Sequence, residues 1–154
     1  MKRIIAVVLA LVCALSLFAC GGGADAQPKD VVAIKDKIIA DLAIEGAIEV
    51  QDKEMLLNTY GIAVDDIESF ACFSTMTGAF PDEVIMVNAT DEDAAARVET
   101  MLNSHLVQVL VQSKNYDAEN YKLAQECKVI TSGTTVALFI SANHAQMEEI
   151  FNAA

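Results

Sequence analysis

Positive charge is scarce in this chain: ten Lys and Arg residues stand against 22 Asp and Glu, a formal net charge of −12. A surface of that sign repels nucleic-acid phosphates and anionic lipid headgroups, which excludes nucleic acid as a partner and leaves cationic partners or divalent metals permitted. Histidine is limited to His105 and His144. Neither has an i, i+4 ligand partner or a cysteine or second histidine nearby in sequence, so no zinc site is expected. The four cysteines, Cys13, Cys20, Cys72 and Cys127, include no C-x-x-C pair, which argues against a redox enzyme. No serine lies in G-x-S-x-G or S-x-x-K, and there is no phosphate-binding or dinucleotide-binding glycine fingerprint. The acidic groups Asp65-Asp66-Glu68, Asp82-Glu83, Asp91-Glu92-Asp93 and Glu148-Glu149 lack the alternating spacing and central glycine of a calcium loop. Nothing in their order shows two carboxylates converging in a cleft, as glycoside hydrolysis requires. No catalytic residue, cofactor or metal ligand is therefore assigned.

What the chain does have is an informative start. Lys2 and Arg3 precede a run, Ile4 to Ala19, that is apolar apart from Ser16 and ends in Leu17-Phe18-Ala19-Cys20. A positive start, a short apolar core and a small residue before the cut form a secretory signal. The pattern resembles a bacterial lipoprotein signal, in which Cys20 becomes the new terminus and carries at least a diacylglycerol. Cys13 is a poorer candidate because Val12 before it is not small. At about 16 residues the apolar run falls short of the roughly 20 that span a bilayer, and Gly21-Gly22-Gly23 ends it, so an uncleaved anchor is the lesser alternative. Removal of residues 1–19 from 154 leaves 135, enough for one domain with a real core. Lys2 and Arg3 leave with the signal, so eight basic residues face 22 acidic ones and the net charge becomes −14. Residues 20–28, small and polar with Pro28, read as a flexible tether, and 29–154 as a single domain.

Along the domain, Val31, Ile34, Ile38 and Leu42 recur at helical spacing over about 30–43, with Asp30 as N-cap. Asp52 caps a short helix from Lys53 to Tyr60, stopped by Gly61, with Met55, Leu56 and Tyr60 inward. A strand follows over Ile67–Thr77, a turn over Gly78–Asp82, and a second strand over Glu83–Ala89, whose continuous apolar run predicts a central position. Thr90 caps a long helix over about 91–113 with Ala95, Val98, Met101, Leu102, Leu106, Val109 and Leu110 as its buried stripe. The Val-rich stretch 106–111 is kept helical because Gln108 and Gln112 preserve a polar face at helical period. A helical turn over Asp117–Gln125 leads to strands Cys127–Thr131 and Thr134–Ser141 around Ser132-Gly133, and Asn143 caps a last helix over 144–153. The order predicts an α+β fold: a four-stranded, mostly antiparallel sheet with helices packed on one face, preceded by two short N-terminal helices. Two successive hairpin-then-helix units hint at a structural repeat.

Leu56 through Ile62, Tyr60-Gly61-Ile62 with Asp65-Asp66-Ile67-Glu68, the strand start Asp82-Glu83-Val84-Ile85 and the closing hairpin from Lys128-Val129-Ile130 to Ser141 resemble an uncharacterised family of bacterial lipoproteins. That family is grouped as domain of unknown function 4358. The resemblance covers roughly 30–153, and the chain departs from the pattern in the Leu-Val-rich segment 106–111, which is commonly more polar. It implies a lipid-anchored protein outside the cytoplasmic membrane of a Gram-positive type of cell, and supplies no reaction, cofactor or site.

Outside the cytoplasm Cys72 and Cys127 could pair, and a disulfide closing so long a loop would add a few kcal/mol. The alternative is two small buried thiols. Phe70, Phe73, Tyr60, Phe80 and Phe139 could line an apolar cleft, but at strand period they read first as core. The expectation is an extracytoplasmic binding or interaction module, held to the membrane by its N-terminal lipid, for a protein or small-molecule ligand. A cell-envelope hydrolase using surface carboxylates and a purely structural envelope protein are the alternatives.

Overall fold

A sheet whose central strands are apolar at nearly every position has to be covered on both faces, and that requirement sets the architecture. The computed structural model describes residues 27–76 and 80–154; Cys13, Cys20 and the expected leader lie outside them. Among the described residues are five helices and one five-stranded antiparallel sheet. The elements are α1 (Val31–Asp41), β1 (Ile48–Glu49), α2 (Lys53–Tyr60), β2 (Ile67–Ser74), β3 (Glu83–Ala89), α3 (Glu92–Tyr116), α4 (Ala118–Glu126), β4 (Val129–Ser132), β5 (Thr135–Ile140) and α5 (His144–Ala153). The strand order is β1-β2-β3-β5-β4, which puts β3 at the centre as its apolar run predicts.

Helices cover both faces of the sheet, not one. Alternate residues divide the core: Cys72, Ile85, Val87, Val136, Leu138 and Ile140 pack toward α2 and α3, with Leu56, Val98 and Leu102. Ala71, Phe73, Val84, Met86, Ala137 and Phe139 pack the other way, against Val31, Ile34 and Ile38 of α1 and Met147 and Phe151 of α5. Every residue of β5 is buried, as the period-2 alternation of side chains requires when both faces are covered. The fifth strand, β1, pairs Ile48 with Ser74 and Glu49 with Phe73 at the edge beside β2. Two residues, both exposed, carry too little pattern to be read as a strand from sequence. The hinted repeat does not hold. A two-fold between β3 and β5 would interchange the hairpins while keeping each following helix on one face, yet α3 and α5 lie on opposite faces.

Local chemistry explains the helix starts. The side chains of Asp30, Asp52 and Asp117 accept hydrogen bonds from the first-turn amides of α1, α2 and α4. Gly61 ends α2 with φ +75°, a left-handed conformation that glycine adopts without strain. Four expectations shift. Asp91, not Thr90, caps α3, accepting from the Ala94 N–H at 2.7 Å. Asn143 precedes α5 without a side-chain capping bond. Met55 turns outward on α2, leaving Leu56 and Tyr60 as its buried residues. The closing hairpin turns at Gly133-Thr134, one residue later than expected, with Ser132 paired to Thr135.

The chain comes into the fold at one pole of the sheet. The Lys29 N–H donates to Thr135 Oγ1 (3.1 Å), and the Lys29 carbonyl accepts from Asn88 Nδ2 (2.9 Å). Asn88 also donates to Ser69 Oγ and accepts from Thr135, so this polar cluster, buried at Asn88 and Thr135, ties β2, β3 and β5 together with every named partner satisfied.

Truncation in the doubly covered strand should cost far more than at the periphery. Leu138→Ala is expected to lower the unfolding free energy by about 2–5 kcal/mol, and Met76→Ala, at an 81 % exposed position, by no more than about 0.5 kcal/mol. Urea titration of the full chain followed by circular dichroism measures both.

Candidate functional site

The opposite pole of the sheet carries the polar chemistry. Glu83 opens β3 with its side chain on the α2/α3 face, at the head of the segment EVIMVNA, which is apolar from Val84 to Val87. A carboxylate there requires partners, and two elements supply them. From the C-terminus of α2, the Tyr60 hydroxyl donates to Glu83 Oε1 at 2.8 Å; from α3, His105 Nε2 lies 2.8 Å from Oε2. A carboxylate only accepts, so Nε2 is the protonated nitrogen of this pair. The Tyr60 and His105 rings meet edge to face, with centroids 4.9 Å apart at 85°. Cys72 Sγ is 3.7 Å from the Tyr60 oxygen. Because the one hydroxyl proton of Tyr60 goes to Glu83, the Cys72 thiol is the donor in that contact. The result is a directional chain, Cys72 to Tyr60 to Glu83, met from the other side by His105.

Burial and hydrogen bonding pull these groups in different directions. Burial raises the carboxyl pKa of Glu83, but the His105 hydrogen bond and electrostatic attraction, together with the Tyr60 hydroxyl, outweigh it and hold the group below its ordinary value. Burial, with the electrostatic influence of Cys72 and Glu83, drives the Tyr60 phenol strongly upward, so it stays protonated. Burial pushes the Cys72 thiol up to about 12, against the lowering effect of the Tyr60 contact.

Glu83 also lines a cleft of about 480 Å³ between the ends of β2, β3 and β5 and the last turns of α3. Full burial along α3 stops at Leu106; beyond it Val109 and Leu110 are half-buried against the core, and the last turns form the outer wall of the cleft. The walls are apolar at Phe80, Val109 and Ile140, and Tyr116, 86 % exposed, stands at the rim. At the floor, Asp82 accepts from Ser141 Oγ (2.5 Å) and from Thr75 Oγ1 (3.4 Å), while its own N–H donates to Thr75 Oγ1 (2.8 Å). Asp117, where α3 gives way to α4, faces the same space.

The remaining candidates are dispersed. Cys72 and Cys127 are separate buried thiols, so the pairing considered above is not formed here. Cys127 donates to the Leu123 carbonyl, and burial raises its pKa. His144 lies 3.6 Å from Glu126 and 3.6 Å from Glu148, remote in sequence from His105 and its partners. Asp66 takes a forked contact from Arg97, Asp91 caps α3, and Glu148 pairs with Lys128 at 2.9 Å, so these carboxylates have structural partners. Among the described residues no group of three or more His, Cys, Asp or Glu is placed to hold a metal ion. No helix among them is long and apolar enough to cross a membrane. Phe73 and Phe139 are core, whereas Phe80 belongs to the cleft. The grouping of Tyr60, Cys72, Glu83 and His105 was missed in the sequence. The available signal was an acid at the head of an apolar central strand and a base on the edge of a buried helical stripe, each needing a partner.

The depressed Glu83 pKa gives a definite pH dependence. Its stabilising contribution is fully present above the ordinary carboxyl value of 4.5 and is lost as pH falls through the lower folded value. Glu83→Gln is expected to cost about 1.5–3 kcal/mol at neutral pH, and the gap to the parent should close as pH falls below 4.5. Denaturant titrations of both chains across that range measure it. A gap that widens toward low pH would contradict the assignment.

A family model described as "Domain of unknown function (DUF4358)" matches residues 40–141, a span that takes in the buried chain and the cleft but leaves out α5 and most of α1. No curated protein and no solved structure matches the chain.

Proposed function

The chain belongs to the DUF4358 family, and from that premise we propose that it is a binding module held outside the cytoplasmic membrane by a lipid on Cys20, with the cleft beside Glu83 as its ligand seat. The observation that carries this reading is the polarity of the molecule. The chain enters at Lys29, fastened to Asn88 and Thr135 at one end of the central strands, while the cleft opens at Ser74, Glu83 and Ile140 at the other. Glu83 and Asn88 are five residues apart along β3, roughly 17 Å at about 3.3 Å per residue. A flexible tether joining Cys20 to Lys29 therefore attaches at the pole opposite the cleft and leaves the cleft free to face away from the bilayer. The leader residues Lys2, Arg3 and Ile4 to Ala19 support cleavage before Cys20, and a diacylglycerol there gives the two chains that stable anchoring requires. The apolar walls and a few convergent polar groups suit a small-molecule seat. The hydrolase reading is weaker, because both carboxylates are already engaged by protein donors, Glu83 by Tyr60 and His105 and Asp82 by Ser141 and Thr75.

Two results test this. Cys20→Ser should move the protein from the membrane fraction to an unprocessed or soluble form, and intact-mass analysis of the parent should show the added diacylglycerol. In intact cells Tyr116→Cys should react with a maleimide that does not cross the cytoplasmic membrane, above the background from buried Cys72 and Cys127. Failure to label until the cells are broken would place the domain inside and overturn the reading.

A further inference from the structure

The charge of the cleft selects its occupant. Among the described residues its lining includes Asp82, Glu83 and Asp117 and no lysine or arginine. Asp82 is satisfied by the neutral hydroxyls of Ser141 and Thr75, and Asp117 by the backbone amides of Glu119 and Asn120. Among the described residues neither has a cationic partner, and hydroxyls and amides orient toward a carboxylate without cancelling its charge. The whole chain adds to the field, at −12, and a cleft with low-dielectric walls focuses it. The three carboxylates are not grouped tightly enough to form a metal site. They are spread around apolar and aromatic surface from Phe80, Val109, Ile140 and Tyr116.

Resting on the reading of the cleft as a ligand seat, we propose that it binds a small organic ammonium ion, a cation with an aromatic or aliphatic body. The body lies on Phe80, Val109 and Ile140. The ammonium group is held in the field of Asp82, Glu83 and Asp117, and Tyr116 offers a ring face within reach of the cation. An inorganic cation would leave the apolar wall unused, and an anion would meet unbalanced negative charge. The volume, about 480 Å³, falls in the range of small-molecule sites. Glu83 is held in its ionised form by its hydrogen bonds from His105 and Tyr60, and because His105 also attracts it electrostatically, the uncompensated charge of the cleft rests chiefly on Asp82 and Asp117.

Three probes sharing one phenethyl body separate charge from fit: phenethylamine, phenethyl alcohol and the slightly larger 3-phenylpropionate. Each is titrated into the full-length protein in phosphatidylcholine nanodiscs, with calorimetry for affinity and amide shifts for location. Phenethylamine should bind with shifts confined to the cleft, at least about fivefold more tightly than the alcohol, the factor for about 1 kcal/mol of charge interaction. The propionate should be weakest, and added salt should narrow the differences. Asp117→Asn keeps the capping chemistry of α4 while removing one charge, and should weaken the amine about two- to fivefold. Tyr116→Ala, at a position with little packing to lose, should weaken it as well. Equal or tighter binding of the alcohol or the propionate in the cleft would overturn the cation assignment and leave the cleft as a ligand seat. Absence of amine binding, or binding elsewhere, would overturn it too, and the Tyr116→Cys labelling would then judge the display of the domain separately.

Discussion

The structure depends on burying β3 and β5 from both sides. Val84 to Ala89 and Thr135 to Ile140 leave almost no exposed position, so neither strand is stable until helices stand over each face. Alternation along the strands then splits one continuous run into two cores, with α2 and α3 over one and α1 and α5 over the other. Burial on this scale is the main favourable contribution to folding. It also explains why polar residues collect at the strand ends, where the helices no longer cover the sheet.

The two ends use their polar groups differently. At the Lys29 end, Ser69, Asn88 and Thr135 form a neutral network whose bonds run among themselves and to the backbone. At the other end, Glu83 brings a charge into a largely buried place and is stabilised by an aromatic hydroxyl and an imidazole from two different helices. Removing one member would leave the others buried without a partner, the costly outcome for a polar network. The same residue that joins α2 to α3 thus faces the cleft, so the integrity of the site and the packing of those helices are one property.

Much of the fold was legible because it is written in local chemistry. Asp30, Asp52 and Gly61 mark helix ends through bonds made within a few residues, and the polar face of Gln108 and Gln112 correctly kept 106–111 in a helix. What escaped was decided at long range. That α1 and α5 share the face opposite α3 depends on which way each crossover passes the sheet, and no periodicity in either helix records it. β1 is two residues whose only reason to be extended is the edge of β2. Tyr60, Cys72, Glu83 and His105 converge from four different elements, two helices and two strands, with no spacing that marks them as a set. The cleft exists because α3 continues past its last buried residue, Leu106. In sequence that shows only as the apolar departure at 106–111.

The fastening of Lys29 has a mechanical consequence. Its amide and carbonyl grip Thr135 and Asn88, on the central strand β3 and its interior neighbour β5, and not an edge. Tension arriving through the preceding segment would be shared at once among β2, β3 and β5 by the bonds joining Ser69, Asn88 and Thr135. Many interstrand bonds would then have to yield together instead of opening one by one from the margin. A domain gripped in this way can be tugged from its root while its far end keeps its shape.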